Sequence, residues 1–439
     1  MQYISITEND KKEMLREIGA SSIDELFKDI PESIRLKKLL DLPAPKSDLE
    51  LETLLSGIAE KNQRPVSFLG AGSYIHYIPA AVDQLASRSE FYTAYTPYQP
   101  EVSQGTLSAI FEYQTMIANL TGMDASNAGM YDGATSLAES VIIASRANNR
   151  NRVAVSSCIN PNYLQVLKTY TWAADIELVM IDEIEGITDH SSFEKIIDDT
   201  FSSVVIQNPN FFGSIEDLAL ISKTAKEKKA ALIVCVTEPL SLALLKSPGS
   251  LGADIVCGEA QSFGNYPGFG GPLLGLLAVK NDYLRRMPGR LVGKTLDEAS
   301  KEAYVLTLQT REQHIRREKA TSNICSNEAL VALRSVIYLS MLGPKLKDLA
   351  VINHNNASYL KKRLIEKGFS SAFKSERPFF NEFVVRHKDI KNIIKKSSEN
   401  GFIPGLHLGD YYKNYSDAML VCTTEFHSKD VIDKFIESI

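Results

Sequence analysis

Short apolar, β-branched runs alternate with helix-like segments between residues 152 and 279. The runs lie at 153–155, 176–181, 204–206, 231–236, 255–256 and 273–279. Strands buried in a parallel sheet read as continuous apolar stretches, and the helices between them cover both faces of the sheet. The spacing therefore predicts an α/β fold with a large, mostly parallel sheet. Ligands of such sheets bind at the carboxyl ends of the strands.

The segments on either side of this region have a different character. Residues 1–65 read as short helices, because Ser22 and Glu25, and again Ser47 and Glu50, have the spacing of a capping box. Helices this short bury little surface alone, so we expect an N-terminal arm that packs on another body, such as a partner subunit. The predicted domains are this arm, a large α/β domain at 66–342 and a small C-terminal α/β domain at 343–439.

Composition excludes several classes of function. The chain has 439 residues, of which 44% are hydrophobic and 23% charged, as in soluble proteins of two or three domains. A net charge of -6 gives no general attraction to nucleic acid or to an anionic membrane. The five cysteines are scattered without a C-x-x-C pair, and neither a signal peptide nor an apolar run of about 20 residues is present. We therefore expect a cytoplasmic protein.

The segment 253–271 joins a short apolar strand, a polar bend and a Gly-rich turn. It resembles the loop that presents the Schiff-base lysine in pyridoxal-phosphate enzymes of the aspartate-aminotransferase type. Here the bend carries Ser262, and a hydroxyl can neither hold the aldehyde as an imine nor act as an amine base. The nearest lysines, Lys246 and Lys280, lie well outside the bend.

Two further positions depart from such a cofactor site. Thr237 follows a predicted strand at the point where pyridoxal enzymes commonly carry an aspartate that pairs with the pyridinium nitrogen. Asp132 precedes a predicted helix whose N-terminus would otherwise cradle phosphate. A carboxylate there caps the helix and repels a dianion, so we interpret Asp132 as an N-cap.

Two motif regions are candidates for a site or an interface. The loop from residue 68 to residue 106 is rich in Gly, Pro and Tyr, which is typical of a site-lining loop, although a surface loop clamped by prolines has the same composition. The charged run 311–319 is either an anion or partner site, with His314, Arg316 and Arg317 as candidates, or a solvated helix face. No spacing of histidines and cysteines indicates a metal site.

Four motifs resemble one known family over nearly the whole chain. They lie at 89–101, 127–139, 287–290 and 311–324. The chain resembles the first subunit of split glycine decarboxylases, the P-protein family of the glycine cleavage system. The resemblance implies the pyridoxal-phosphate-dependent transferase fold, also called fold type I, and a partner subunit of similar fold that alone carries the pyridoxal lysine.

The resemblance also implies a division of labour in a heterotetramer of two such chains and two pyridoxal-phosphate-bearing partners. Glycine would be decarboxylated on the partner's cofactor, and its aminomethyl group would pass to the lipoyl group of the H-protein. This chain would hold no cofactor, with Ser262, Thr237 and Asp132 as degenerate cofactor positions. Tyr95, Tyr98 and Gln99 would reach across the interface to complete the partner's site.

Two other hypotheses remain at this point. The chain could be a non-catalytic scaffold that stabilises the partner or docks the lipoyl protein. It could also be an independent pyridoxal enzyme that uses Lys246 or Lys280, which an imine absorbance of this chain alone would reveal.

Overall fold

The structure is a computed structural model that describes residues 5–309, 313–320, 322–324 and 328–439. The chain divides into two compact units, residues 1–64 and residues 65–439. The α-helices of the described residues are α1 Glu8–Glu17, α2 Asp48–Ala59, α3 Ala80–Ala86, α4 Ser89–Tyr92, α5 Gln104–Thr121, α6 Gly133–Asn148, α7 Pro161–Ala173, α8 His190–Ile196, α9 Leu218–Glu227, α10 Gln313–Arg316, α11 Ala329–Leu342, α12 Leu346–Glu366, α13 Ile390–Glu399 and α14 Lys429–Ser438.

The strands of the described residues are β1 Val66–Ser67, β2 Ala125–Ser126, β3 Arg152–Ser156, β4 Glu177–Ile181, β5 Glu183–Ile184, β6 Ile187–Thr188, β7 Phe201–Gln207, β8 Ala231–Val236, β9 Ile255–Glu259, β10 Gly275–Val279, β11 Leu291–Leu296, β12 Glu302–Thr307, β13 Ser370–Ser371, β14 Glu382–Arg386, β15 Phe402–Ile403, β16 Leu406–His407 and β17 Ala418–Cys422. All six strands predicted between residues 152 and 279 are therefore present.

The central sheet has seven strands in the order β2-β10-β9-β8-β7-β3-β4. The strands from β9 to β4 are parallel, and β10 and β2 are antiparallel at one edge. Both faces are covered: along β8, Leu232 and Val234 join one apolar cluster, while Ile233 and Cys235 join the other. Because successive side chains of a strand point to opposite faces, covering both faces requires the unbroken apolar runs seen in the sequence.

The C-terminal part contains a second sheet of four strands in the order β13-β14-β17-β16, all antiparallel. Its core holds Leu360 of α12, Phe383 of β14 and Phe435 of α14. The strands predicted near 383–385 and at 418–422 are confirmed as β14 and β17.

The unit formed by residues 1–64 is helical, as predicted. Ser47 and Glu50 form a complete capping box at the start of α2. The prediction at Ser22 was wrong in detail: Ser22 caps a five-residue 3-10 helix, Ile23–Phe27, and the Glu25 carboxylate accepts from Ser21 instead. No residue of α1 or α2 is buried, so these helices form without a core of their own.

Helices α11 and α12 and the turn between them form a continuous helical segment of 38 residues, Ala329–Glu366. Its length and composition would suffice to cross a membrane, but half of its most apolar window is buried within the fold. Val331, Tyr338 and Ala350 belong to one of the clusters that cover the central sheet. The segment is therefore packed as a core helix.

Candidate functional site

The carboxyl ends of β7, β8 and β9 meet at one edge of the central sheet, where the sequence predicts a ligand site. Gln207, at the end of β7, links two neighbouring loops. Its Oε1 accepts from the backbone N–H of Asn160 at 2.7 Å, and its Nε2 donates to Thr237 Oγ1 at 3.3 Å. Thr237 and Ser262 are both buried, and Ser262 bonds to Glu238, the neighbour of Thr237, so the structure brings together two of the three predicted degenerate positions.

Ser262 is hydrogen-bonded to a buried network of charged side chains. Its hydroxyl donates to Glu238 Oε1 at 3.2 Å, and His76 Nε2 donates to Glu238 Oε2 at 3.0 Å. The other nitrogen of His76 donates to Glu425 Oε2 at 2.8 Å. Burial alone would lower the pKa of His76, but the two carboxylates outweigh it and raise that pKa to about 10. His76 is therefore an imidazolium between two carboxylates.

The N-terminus of α6, where a phosphate would lie in a cofactor-binding relative, is occupied by the chain's own carboxylates. Asp132 Oδ1 accepts from the Thr135 N–H at 2.7 Å, which confirms the predicted N-cap. Glu259 Oε2 accepts from the Gly133 N–H at 3.0 Å. A Cβ atom on Gly133 would lie 2.2 Å from the Tyr163 hydroxyl, so this close approach requires glycine.

The remaining oxygen of Glu259 is also bound. Oε1 accepts from the backbone N–H groups of Gln261 and Leu274, each at 3.0 Å. Burial raises the pKa of Glu259 to about 7, against the lowering effect of its three N–H donors. The Glu259 carboxyl group thus accepts backbone N–H groups of α6, of the bend and of the residue before β10. It occupies the position where a bound anion would lie.

A second buried carboxyl group, that of Glu382, lies near Thr237 and is linked to it through Tyr74. The Tyr74 hydroxyl donates to Glu382 Oε2 at 2.6 Å and lies 3.5 Å from Thr237 Oγ1. Glu382 Oε1 accepts from the Ala71 N–H at 2.6 Å. Burial raises the pKa of Glu382 to about 7. Sequence reasoning missed Tyr74, His76 and Glu382, because no local pattern marks residues that meet only through the fold.

Lys280, one of the two candidate lysines, lies away from this edge of the sheet. Lys280 Nζ bonds to Asp254 Oδ1 at 2.7 Å, beside the start of β9, whereas Ser262 follows the end of that strand. The strand between them spans about 17 Å at 3.3 Å per residue. Lys246 is exposed. With no lysine at Ser262 and carboxylates in the anion position, these residues do not fit pyridoxal phosphate.

The four motif segments meet at a second place in the fold. Asn127 Nδ2 donates to the Pro288 carbonyl and the Ala128 N–H donates to the Arg290 carbonyl, both at 3.0 Å. The Ser322 hydroxyl donates to Glu139 Oε1 at 2.7 Å. Residues separated by up to 183 positions in the chain are thereby held against each other, and we call this surface the motif face.

The aromatic loop joins the motif face through Tyr98. Arg290, which is only 2% exposed, donates to the Tyr98 hydroxyl at 3.1 Å, and its guanidinium lies 5.3 Å from the centre of the Tyr98 ring. The ring of His314 meets the edge of the same tyrosine at 5.5 Å between centres. Two regions that the sequence offered as separate candidates are therefore in contact.

The other candidates of these regions face outward. Tyr95 is 83% exposed and lines a cavity of 370 Å³ together with Arg290 and Glu328. Gln99 is exposed, and so are Arg316 and Arg317. Arg316 lines a separate cavity of 240 Å³. Residues 311 and 312 of the charged run lie outside the described residues.

Known proteins match the whole chain. The family described as glycine cleavage system P-protein matches residues 1–439. The chain is 50% identical to a probable glycine dehydrogenase (decarboxylating) subunit 1 of Listeria monocytogenes over 443 aligned positions, which cover 100% of this chain and 98% of the relative. A protein of the same description from Geobacillus kaustophilus is 49% identical, with the same coverage of both chains.

Solved structures agree with these sequence matches. A crystal structure of glycine decarboxylase, the P-protein of the glycine cleavage system, in an inhibitor-bound form superposes with a TM-score of 0.89 at 41% identity and covers 100% of this chain and 99% of its own. An alanine–glyoxylate aminotransferase of Nostoc sp. has a TM-score of 0.59 at 14% identity and covers 93% and 98%, which shows the fold alone. The fold is that of fold type I pyridoxal-phosphate-dependent transferases, as predicted. The chain belongs to the glycine cleavage system P-protein family and is a glycine dehydrogenase (decarboxylating) subunit of the subunit 1 type.

Proposed function

We propose that this chain is the subunit of glycine decarboxylase that holds no cofactor and completes the active site of a pyridoxal-phosphate-bearing partner. The two chains would form an α2β2 heterotetramer in the cytoplasm. Bound to the partner, pyridoxal phosphate would supply the electron sink for loss of the glycine carboxylate. The aminomethyl group would then pass to the lipoyl group of the H-protein.

The observation that carries this proposal is the occupation of the cofactor position by the chain's own side chains. Ser262 supplies no amine, and Glu259 already accepts the Gly133 N–H at the start of α6. A bound phosphate dianion would compete with the Glu259 carboxyl for this N–H donor, and it would lie near Asp132 in a buried site, where like charges repel. In the partner, the same edge of the sheet would hold the cofactor. The two subunits would therefore share a fold and differ in the groups that occupy this edge.

The motif face supplies the second line of support. Four segments that match the family in sequence are tied to one another by hydrogen bonds. Tyr95 and Gln99 present exposed polar groups beside this face and are the residues that we propose to reach the partner's site. Tyr98 bonds to Arg290 of its own chain, and we propose that it holds the loop for them.

The other candidate regions have supporting roles in this proposal. His314, Arg316 and Arg317 would contact the partner or an anion at the interface. The arm at 1–65 would pack on the partner, because its helices bury none of their own residues. We propose a division of the rest into the domains 66–342 and 343–439.

The first experiment tests where the cofactor binds. The purified chain and its partner are each mixed with pyridoxal phosphate, reduced with borohydride and analysed by mass spectrometry. We expect an imine absorbance band and a reduced lysine adduct on the partner alone. A specific adduct on Lys246 or Lys280 of this chain would instead support an independent pyridoxal enzyme.

The second experiment separates a site contributor from a scaffold. Tyr95→Phe removes one exposed hydroxyl, and Tyr77→Phe is a matched control, because Tyr77 is also exposed but lies outside the four motifs. If Tyr95 contributes to the site, Tyr95→Phe lowers kcat while assembly and Tyr77→Phe activity stay unchanged. A non-catalytic scaffold predicts equal activity for both variants.

A further inference from the structure

The second cavity of the motif face has an unusual composition of charge. It has a volume of 240 Å³ and lies between α6, the turn Asn281–Arg286 and α10. Four arginines line it, Arg146, Arg285, Arg286 and Arg316, and Glu139 is the acidic residue among the described lining residues. The whole chain carries a net charge of -6, so this concentration of positive charge runs against the average of the protein.

Glu139, the acidic residue of this lining, is hydrogen-bonded and buried. Glu139 is only 3% exposed, and the Ser322 hydroxyl donates to its Oε1 at 2.7 Å. Burial raises the pKa of Glu139 to about 7, although the Ser322 hydrogen bond and Arg146 act to lower it. Glu139 is therefore buried, whereas all four arginines are exposed.

Arginine is the residue best suited to bind oxyanions. Its planar guanidinium presents N–H donors in a fork that matches carboxylate and phosphate oxygens, and such charge-assisted bonds are shorter and stronger than neutral ones. Arg285 and Arg286 are adjacent in one turn, and Arg316 reaches the cavity from α10. Isoleucine and methionine side chains, Ile142, Ile143 and Met287, form the apolar part of the lining.

We propose that this cavity binds a phosphate group, with Arg285, Arg286 and Arg316 as its donors. A phosphate dianion offers three or more acceptor oxygens and two negative charges, so it satisfies several guanidinium groups at once, whereas a carboxylate pairs with one fork. The phosphate can be a free ion or the end of a phosphate monoester. The inference concerns this chain's own residues and holds whether or not the proposed division of labour with the partner is correct.

The test is calorimetric titration of the full-length chain with inorganic phosphate, at constant ionic strength maintained with chloride. We expect saturable binding that the double variant Arg285→Gln, Arg286→Gln weakens at least tenfold. Arg88→Gln is the matched control, because Arg88 is an exposed arginine outside the cavity that pairs with Glu90 at 3.0 Å. Glycerol 3-phosphate, titrated in parallel, distinguishes a monoester site from a site for the free ion.

Glu139→Gln should have the opposite effect on phosphate binding to that of the arginine double variant. At pH 8 it removes a negative charge from the cavity, and we expect phosphate to bind several-fold more tightly, a result that a folding defect would not produce. The proposal is overturned if chloride of equal ionic strength displaces phosphate fully, if the double variant binds phosphate as the native chain does, or if Glu139→Gln weakens binding.

Discussion

Replacing His76 with glutamine removes the cation that lies between two buried carboxylates. Glu238 and Glu425 then face each other's charge without compensation, at positions where His76 donated at 3.0 and 2.8 Å. Removing one partner of a buried ion pair typically costs about 3–5 kcal/mol. The pKa values lead to the same range, because raising the pKa of His76 from 6.5 to about 10 corresponds to roughly 5 kcal/mol.

The sign of the pH dependence follows from the direction of each pKa. The pKa of His76 is raised, so its contribution to stability is complete below pH 6.5 and is lost as the pH rises toward 10. Burial opposes ionisation of Glu425, but His76 outweighs it and lowers the pKa of Glu425 to about 2. Glu425 therefore contributes above pH 4.5, and the network is most stabilising between about pH 4.5 and 6.5.

The assay is thermal unfolding followed by circular dichroism at several pH values between 6 and 10. With an unfolding entropy of about 2 cal/mol/K per residue, a loss of about 4 kcal/mol lowers the Tm of a unit of this size by about 5 °C. We expect His76→Gln to show this decrease at pH 6.5 and a smaller one at pH 9.5. Adding Glu238→Gln should recover part of the loss, because it removes one uncompensated charge.

His190→Gln is the matched control, since His190 is half-buried and bonds to Thr224 Oγ1 at 3.0 Å without lying between two carboxylates. The reasoning is refuted if His76→Gln unfolds within 1 °C of the native chain at pH 6.5 and both follow the same pH profile.

Three shorter predictions concern the site, the motif face and the arm. Ser262→Lys should give no borohydride-reducible adduct with pyridoxal phosphate by mass spectrometry, because Glu238 would pair with the new amine and the anion position would stay filled. Arg290→Lys should lower the Tm by about 3 °C in a thermal melt, because lysine cannot reproduce the fork that contacts Tyr98. Leu39 is 93% exposed, and if the arm packs on the partner, Leu39→Ser should weaken assembly about tenfold in sedimentation experiments, with the Tm of the free chain unchanged.

The central sheet could be predicted because each of its strands is marked by residues that are adjacent in the sequence. Strands such as β8 are buried on both faces, and this burial requires unbroken apolar runs of a length that few other structures share. The Asp132 cap was predictable for the same reason, since a cap depends on residues three positions apart. The arm was predicted less well at Ser22, because a capping-box spacing does not decide between an α-helix and a 3-10 helix.

The buried side chains around Thr237 and Ser262 could not be predicted, because their hydrogen-bond partners are distant in the chain. Tyr74 and Glu382 are 308 positions apart, and His76 and Glu425 are 349 positions apart. Their pairing depends on packing between elements from the two ends of the chain, and no periodicity records it. Sequence comparison with a pyridoxal enzyme identified what is absent at Ser262 but not the side chains that occupy the space.

If this chain holds no cofactor, as we propose, the structure indicates that more than the lysine differs from a cofactor site. The start of α6 presents backbone N–H donors in a buried place, and unsatisfied donors there cost about 1–3 kcal/mol each. Glu259 accepts from three backbone N–H donors around this site, so these donors are not left for an anionic ligand. His76 similarly neutralises Glu238, which in turn accepts from Ser262. Each of these groups depends on another, so making room for a cofactor here would require several simultaneous substitutions, because each single one would leave a buried charge or donor unpaired.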